Sequence, residues 1–452
     1  MSPLRACPAV LVLVSCATRS YVEQPLEVEP LAATFAARRL DDADLAALAP
    51  VHAGEEGPVP WDADALTRVA LALRPELDQA RAEIEEARAE LVGAAVRPNP
   101  VLEVTPEVVP GASDPWILTW ILELPIQTGG RRQLRVEAAE AHLRAEEFRV
   151  PLAAWRVRME VRSALEELAA ARVEVGWLER ESALREQRLA LEGERLAAGA
   201  VDRRALVRVQ QERARTDAAL TASRGRGARA LSTLAEALAL PRTALETATI
   251  ASGSPGAWPE PPGVGDARER ALANRLDLRA ALAEYADAEA ELRLEIARQY
   301  PDFRLAPGYS YDQGDHKIAL GFALELPLFD RNQGPIAAAE ARRSVSAAHF
   351  RTLEESALGA LESSRVAYAE ARAGREILRQ AEALSESEWR SVQRTRAEGA
   401  VDRSVEIEAE LAWVERARAS AGAEAELAFA RLRLEDQLQC PLEGTAPEVA
   451  PP

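Results

Sequence analysis

Residues 70–100, ALALRPELDQARAEIEEARAELVGAAVRPNP, return without a gap as residues 271–301, ALANRLDLRAALAEYADAEAELRLEIARQYP, and fourteen of the 31 positions are identical. Two later landmarks keep step. LELP at 122–125 recurs at 324–327, and GAVDR at 199–203 recurs at 399–403, so the three offsets are 201, 202 and 200. Three landmarks in register mark a tandem duplication of one unit. What lies between them decides the fold.

Each unit opens with a helix. In the first copy Asp62 is a plausible N-cap. The apolar seam Leu66, Ala70, Leu73, Leu77, Ala80, Ile84, Ala87, Leu91 and Ala94 alternates spacings of four and three, the heptad pattern of a coiled coil. Pro98 and Pro100 stop it. The second copy repeats the seam with Ala267, Ala271, Leu278, Ala281, Tyr285, Ala288 and Leu292. Two runs of period 2 follow in each copy. Leu102, Val104, Pro106 and Val108 share a face, as do Trp116, Leu118, Trp120, Leu122 and Leu124 on the return run. In the second copy Phe303, Leu305, Pro307, Tyr309 and Tyr311 lie on one face, and Ile318, Leu320, Phe322, Leu324 and Leu326 on the next. The opposite faces are small or polar. Each run is about ten residues, the length that crosses a bilayer in a tilted barrel.

After LELP the chain becomes helical again, to about Ala198 in the first copy and Glu398 in the second. Pro151 predicts a kink in the first. At about 1.5 Å per residue each helix is on the order of 100 Å long. Gly199 and Gly399 stop them, and Asp202 and Asp402 are set to cap the returning helices, which run to about Leu240 and Leu438. The shorter helices add up in length to the long ones. The expected stacking is 202–240 with 266–298, and 402–439 with 62–97.

Composition narrows the classes. A net charge of −18 with a single lysine, Lys317, argues against a nucleic-acid partner. The N-terminus has Arg5 followed by a short apolar run to Val14, too short to span a bilayer. It ends in Leu13-Val14-Ser15-Cys16, which has the order of a lipobox with lipid attached to Cys16; an ordinary signal peptide with an incidental cysteine is the alternative. The chain then divides into a signal peptide (1–15), a lipid anchor and extended leader (16–60), a first repeat (61–250), a linker (251–265), a second repeat (266–440) and a disordered tail (441–452). No stretch beyond the leader is apolar enough for a transmembrane helix, so a membrane crossing has to be made of β-structure. The fold expected is mainly α with a small transmembrane β part: a long coiled-coil helical tube plus four strands per chain. Four strands alone leave open edges in lipid, and three copies would close a twelve-stranded barrel.

RPELDQARAEIEEARAEL followed by RPNPVLEV, then LELPIQTGGRRQLR, and in the second half QYPDFRLAPGY and ELPLFDRNQGPI, resemble the TolC-like outer-membrane efflux channels. The resemblance covers residues 60–440, and the PNP element and GGRR turn look most like the CzcC-type cation-efflux branch. It implies a homotrimer in the outer membrane that conducts passively. It also implies a periplasmic adaptor and an inner-membrane pump of the RND type as partners, and no cofactor. The resemblance further implies a constriction at the helix tips, with acidic residues a few positions past the tip glycine. Glu406 and Glu408 stand there. Either they form an acidic ring that favours cations, or they are solvated charges paired with arginines. The first repeat has Arg204 and Arg208 instead.

No catalytic or metal motif stands out. His52, His142, His316 and His349 are scattered, and no HExxH, CxxC or phosphate-binding loop is present. The competing architecture is a periplasmic coiled-coil scaffold lipoprotein without a pore. It accounts for the helices and Cys16 but not for four amphipathic strands at two equivalent places.

Overall fold

The computed structural model describes residues 20–49, 60–251 and 258–442. The signal peptide and Cys16 therefore lie outside the described residues, as does nearly all of the expected tail. The duplication is visible in the order of elements. The first unit runs α3 (Ala63–Leu73), α4 (Pro75–Ala95), β1 (Val101–Val108), β2 (Trp116–Ile126), α5 (Arg131–Glu146), α6 (Arg149–Ala197) and α7 (Arg203–Ala237). The second runs α9 (Val264–Asn274), α10 (Leu276–Ala297), β3 (Phe303–Asp312), β4 (Asp315–Leu324), α11 (Gln333–Ala397) and α12 (Arg403–Leu438). A short α8 (Thr243–Glu246) lies between them.

The heptad seams are the buried faces. Leu66, Ala70, Leu77, Ala80, Ile84 and Ala87 are all at most 5% exposed, and Ala267, Ala271, Leu278, Ala281 and Leu292 at most 4%. Two apolar clusters form belts at matching places in the two repeats. One joins Leu66 and Val69 to Val157, Val161 and Leu165 and to Leu234 and Leu238. The other joins Ala267 and Ala271 to Leu361 and Tyr368 and to Leu427 and Leu434.

Three expectations are corrected. The stretch before Trp61 is not extended throughout. It forms α1 (Val28–Ala37) and a short α2 (Ala43–Ala46), and it docks because Leu40 and Leu45 are buried in the first belt. Arg38 Nη1 also donates to the Ala239 carbonyl at 2.8 Å. The opening helix of each unit is not continuous either. It breaks at Arg74 (φ −76, ψ 117) and at Arg275 (φ −62, ψ 112). Pro75 accounts for the first break, since a residue before proline is driven out of the α region. Leu276 follows the second, so its cause lies elsewhere.

That cause corrects the third expectation, the pairing of half-length helices. Arg74 Nη1 donates to the carbonyl of Ala237, the last residue of α7, at 3.3 Å. Arg275 Nη1 donates to the Gln437 carbonyl (3.3 Å) and side-chain oxygen (2.9 Å), at the end of α12, and Leu276 N–H donates to Gln439 Oε1 at 2.6 Å. So α7 abuts α4 and α12 abuts α10, each within its own repeat, rather than across repeats. The lengths agree: 35 and 21 residues in one stack, 36 and 22 in the other, beside the 65 residues of α11. Head-to-tail stacking aligns the dipoles, and each arginine meets the carbonyl end where a cation is favoured. The long helix of the first repeat bends at Glu147-Phe148, where both residues stay in the α region, as Pro151 predicts.

The four strands make one antiparallel sheet in the order β1-β2-β3-β4. Its two outer strands, β1 and β4, each have one unpaired edge within the chain.

Candidate functional site

The register fixes the two faces of the sheet. Leu102 pairs with Leu122, Val104 with Trp120 and Val108 with Trp116. Trp120 pairs in turn with Tyr309, and Tyr309 with Ile318. The expected apolar runs therefore share one face across all four strands. That face is uncovered: Trp116 is 55% exposed, Leu320 72% and Ile318 90%. The other face carries mostly small and polar groups, with Val101, Ile117 and Ile121 among them. Gly308 pairs with Ala319 and Ala306 with Gly321. Thr119 and Ser310 bond each other at 3.3 Å. A sheet greasy on one side and polar on the other, with nothing of its own chain over the greasy side, is built for hydrocarbon on that side and water on the other.

The sheet is tied to the helices by side chains from both repeats. Arg131 Nη1 binds Asp302 at 3.0 Å and its second nitrogen reaches the Tyr300 carbonyl. Thr128 donates to the Pro301 carbonyl at 2.6 Å. Asn332 donates to the Glu295 carbonyl and side chain, both at 2.8 Å. The GGRR and NQG turns quoted above thus position the strand pairs on the helical body.

At the opposite end, the two tip turns follow the expected geometry. Gly199 (φ 73) and Gly399 (φ 76) adopt left-handed conformations that favour glycine. Asp202 accepts from Ala205 N at 2.9 Å and Asp402 from Arg403 N at 3.2 Å. The two candidate glutamates part company. Glu406 is buried, its side chain 7% exposed, and held between Arg396 and Arg403 across the α11–α12 turn. Burial raises its pKa, but the two arginines outweigh that and leave it below the ordinary glutamate value. Glu408 is exposed and paired with Arg188 of α6 at 3.2 Å.

Sequence reasoning missed what surrounds them. A ladder of arginines on α6 meets glutamates on α12: Arg180 with Glu410 (2.9 Å), Arg185 with Glu415 (2.8 Å) and Arg188 with Glu408. Arg180 also lies 4.4 Å from the ring of Trp413, which stacks on Trp389 at 4.5 Å and meets Trp177 edge-on at 5.8 Å. The ladder partners stand 220 to 230 positions apart in the chain, so no local pattern announces them.

Higher on the body, His142 of α5 bridges two neighbouring helices. Its Nδ1 is 3.1 Å from Asp287 of α10, and its Nε2 is 3.9 Å from Glu90 of α4. Burial lowers the imidazole pKa, but the Asp287 hydrogen bond and the carboxylates of Asp287, Glu146 and Glu90 raise it further, so it ends above its ordinary value. A raised folded-state pKa adds stability that is complete below the ordinary histidine value and lost as pH rises through the folded value. We expect the wild-type melting midpoint to fall as pH is raised through neutrality, and His142→Gln to flatten that slope. An unchanged slope in the variant would remove this assignment. Among the described residues no group of three or more His, Cys, Asp or Glu is arranged to hold a metal.

Comparison with known proteins places this geometry. The outer-membrane protein VceC of Vibrio cholerae superposes with a TM-score of 0.68 at 20% identity, over 84% of this chain and 97% of that one. A membrane protein from Pseudomonas aeruginosa gives 0.67 at 20%, over 86% and 97%. CusC, described in terms of transmembrane channel formation, gives 0.65 at 16%, over 86% and 96%. The chain has the fold of the TolC-like outer-membrane channels, a helical tube with a β-barrel part, as the RPELDQ and LELP segments suggested. In sequence it is similar to the cobalt-zinc-cadmium resistance protein CzcC of Cupriavidus metallidurans, 28% identical over 285 residues. That match takes in 61% of this chain and spans 65% of the relative's length. No family model matches the chain.

Proposed function

We propose that this chain is the outer-membrane duct of a tripartite efflux system. Three copies pair the β4 edge of one with the β1 edge of the next, closing a twelve-stranded barrel over a tube of helices. The observation that carries the reading is the sheet: one uncovered apolar face, one small and polar face, and two open edges. Open edges are too costly in hydrocarbon to be left unpaired, and twelve strands leave a lumen behind the small inner residues. Conduction is passive, so energy comes from an inner-membrane pump, of the RND type, joined through a periplasmic adaptor. The likeness to CzcC favours divalent metal cations as cargo. Cys16 carries the lipid, and Cys16→Ser is expected to abolish palmitate labelling while leaving trimers intact.

Fractionation tests the reading. The protein is expected in the outer membrane as a trimer that migrates intact in detergent gels until boiled. Recovery as a soluble periplasmic species would favour the scaffold lipoprotein instead.

At the tips, the burial of Glu406 narrows the acidic ring to Glu408, with Glu406 acting as the fastener of the α11–α12 turn. Glu408→Gln is expected to weaken block by divalent cations several-fold in bilayer recordings. Glu406→Gln leaves Arg396 and Arg403 without their shared carboxylate and is expected to raise conductance by loosening the turn. Glu354→Gln with Glu355→Gln, high on α11, is the control. Identical block and conductance in all the variants would return Glu408 to ordinary surface charge and leave Glu406 as a structural ion pair without a part in the aperture.

A further inference from the structure

The bent long helix of the first repeat has a straight counterpart in the second. Phe148-Arg149 recurs as Phe350-Arg351 at the offset of 202, but Leu353 stands where the first repeat has Pro151, and Ser344 where it has His142. Helix α11 runs unbroken through that stretch. The proline and the histidine thus occur together in one repeat, and neither occurs in the other. At the bend, Phe148 N–H donates to the Ala145 carbonyl at 3.3 Å, three residues back instead of four. Pro151 has no N–H to return to the Glu147 carbonyl. The helical ladder is weakened at this one point, which makes it a pivot.

Both sides of the pivot are held, by chemically different clamps. On the α6 side Arg149 bonds Glu146 and reaches Glu83 of α4 at 3.4 Å, and Arg279 of α10 lies 5.3 Å from the Phe148 ring. Arginine keeps its charge at any ordinary pH, so this clamp is permanent. On the α5 side the clamp is His142, set between Asp287 of α10 at 3.1 Å and Glu90 of α4 at 3.9 Å. The protonated ring presents an N–H to each carboxylate. The neutral ring has a single N–H and turns a lone pair toward the other carboxylate. Around it stand Glu146 on α5, Glu284 and Glu291 on α10, and Arg342 on α11, which lies 3.7 Å from Glu291. Among the described residues, His142 is the one ion-pair partner of both Asp287 and Glu90. Loss of its charge therefore leaves two carboxylates on two helices without a cation. Burial works against that charge, but Asp287, Glu146 and Glu90 outweigh it, and the ring titrates above its ordinary value. The ring also opens on a cleft of about 650 Å³ that reaches Ala338 and Val345 of α11, so protons reach it and α5 has room to move.

We propose that His142 is a proton-operated clamp on the α5–α6 hinge. The charged ring fixes α5 to α10 and α4; loss of its proton frees α5 to pivot about Glu147-Phe148 while α6 stays in place. Helix α5 begins at Arg131, which ties the sheet to the body through Asp302 and the Tyr300 carbonyl. Release of α5 therefore slackens the neck between sheet and helices. All of these contacts lie within one chain, so the device is independent of the number of copies and of the cargo.

Hydrogen–deuterium exchange of the full chain in detergent tests it, with rates corrected for the intrinsic effect of pH. Between mildly acid and mildly alkaline buffer, the amides of residues 143–152 are expected to lose protection several-fold, and those of residues 345–354 in α11 to keep it. His142→Arg, charged throughout, is expected to hold the hinge protected in both buffers, and His142→Gln to leave it open in both. Pro151→Leu, which installs the residue of the second repeat, is expected to protect the segment in both buffers although His142 remains. Wild-type protection of 143–152 that does not change with pH, or that changes equally in His142→Gln, overturns the clamp. So does a melting midpoint that depends on His142 while the hinge amides do not, since the histidine would then be a stability contact alone.

Discussion

Leu320→Arg is expected to abolish membrane assembly, and Ala319→Arg, one residue away, to be tolerated. Leu320 sits mid-strand in β4, opposite Pro307 on the apolar face and 72% exposed in the single chain. Against lipid, an arginine near the bilayer midplane costs about 2–4 kcal/mol per copy, and a trimer bears that cost three times. Ala319 pairs with Gly308 on the small face, where water takes the guanidinium and two small neighbours leave it room. Heat-modifiable trimer in the outer-membrane fraction is the readout. Equal assembly of the two variants would mean that the faces of the sheet are misassigned.

The second large effect is at the helix junction. Arg275→Ala is expected to destabilise the chain by about 1.5–3 kcal/mol, the scale for losing hydrogen bonds to a charged group in a partly buried pair. The guanidinium is buried, bound to Asp277 at 2.6 Å and to the end of α12, so its loss strands a carboxylate and a helix terminus together. Asp277→Ala in the same chain is expected to recover part of the loss, because it removes the stranded charge. The repeat supplies a comparison: Arg74 holds Glu76 at 2.6 Å and Glu160 at 2.8 Å at the equivalent break. Arg74→Ala is expected to cost less, since Pro75 keeps the break in place without it. A denaturation series in detergent decides the ranking. Equal, small losses at both sites would show that the arginines decorate the junctions rather than hold them.

These junctions mark the limit of what the sequence discloses. The duplication, the buried seams and the strand faces were all legible, because each is a local period read against one partner surface. Trp120, Tyr309 and Ile318 fell on one face by alternation alone. The tip turns were legible because a left-handed glycine followed by a capping aspartate is a local signature. Arg275 was not, since it breaks its helix through Gln437 and Gln439, some 160 positions away. The same applies to Leu40 and Leu45, two leucines in a polar-looking leader that dock on a distant belt. Glu406 is a different case: its arginines stand only three and ten positions away, and pairing with arginines was one of the two readings open to the sequence, which left undecided whether the pair is buried. The stacking of half-helices went astray for a related reason. Lengths are compatible with either pairing, and only the arginine contacts choose between them.

The most direct test of the account is electrical. Purified protein added to one side of a planar lipid bilayer is predicted to insert and produce discrete, stepwise conductance increases of uniform size. Those steps are predicted to disappear with Leu320→Arg and to persist with Ala319→Arg. A bilayer that stays silent with well-folded, trimeric protein, both for the wild type and for Glu406→Gln with its α11–α12 tip loosened, would contradict a conducting duct and leave a helical scaffold in its place.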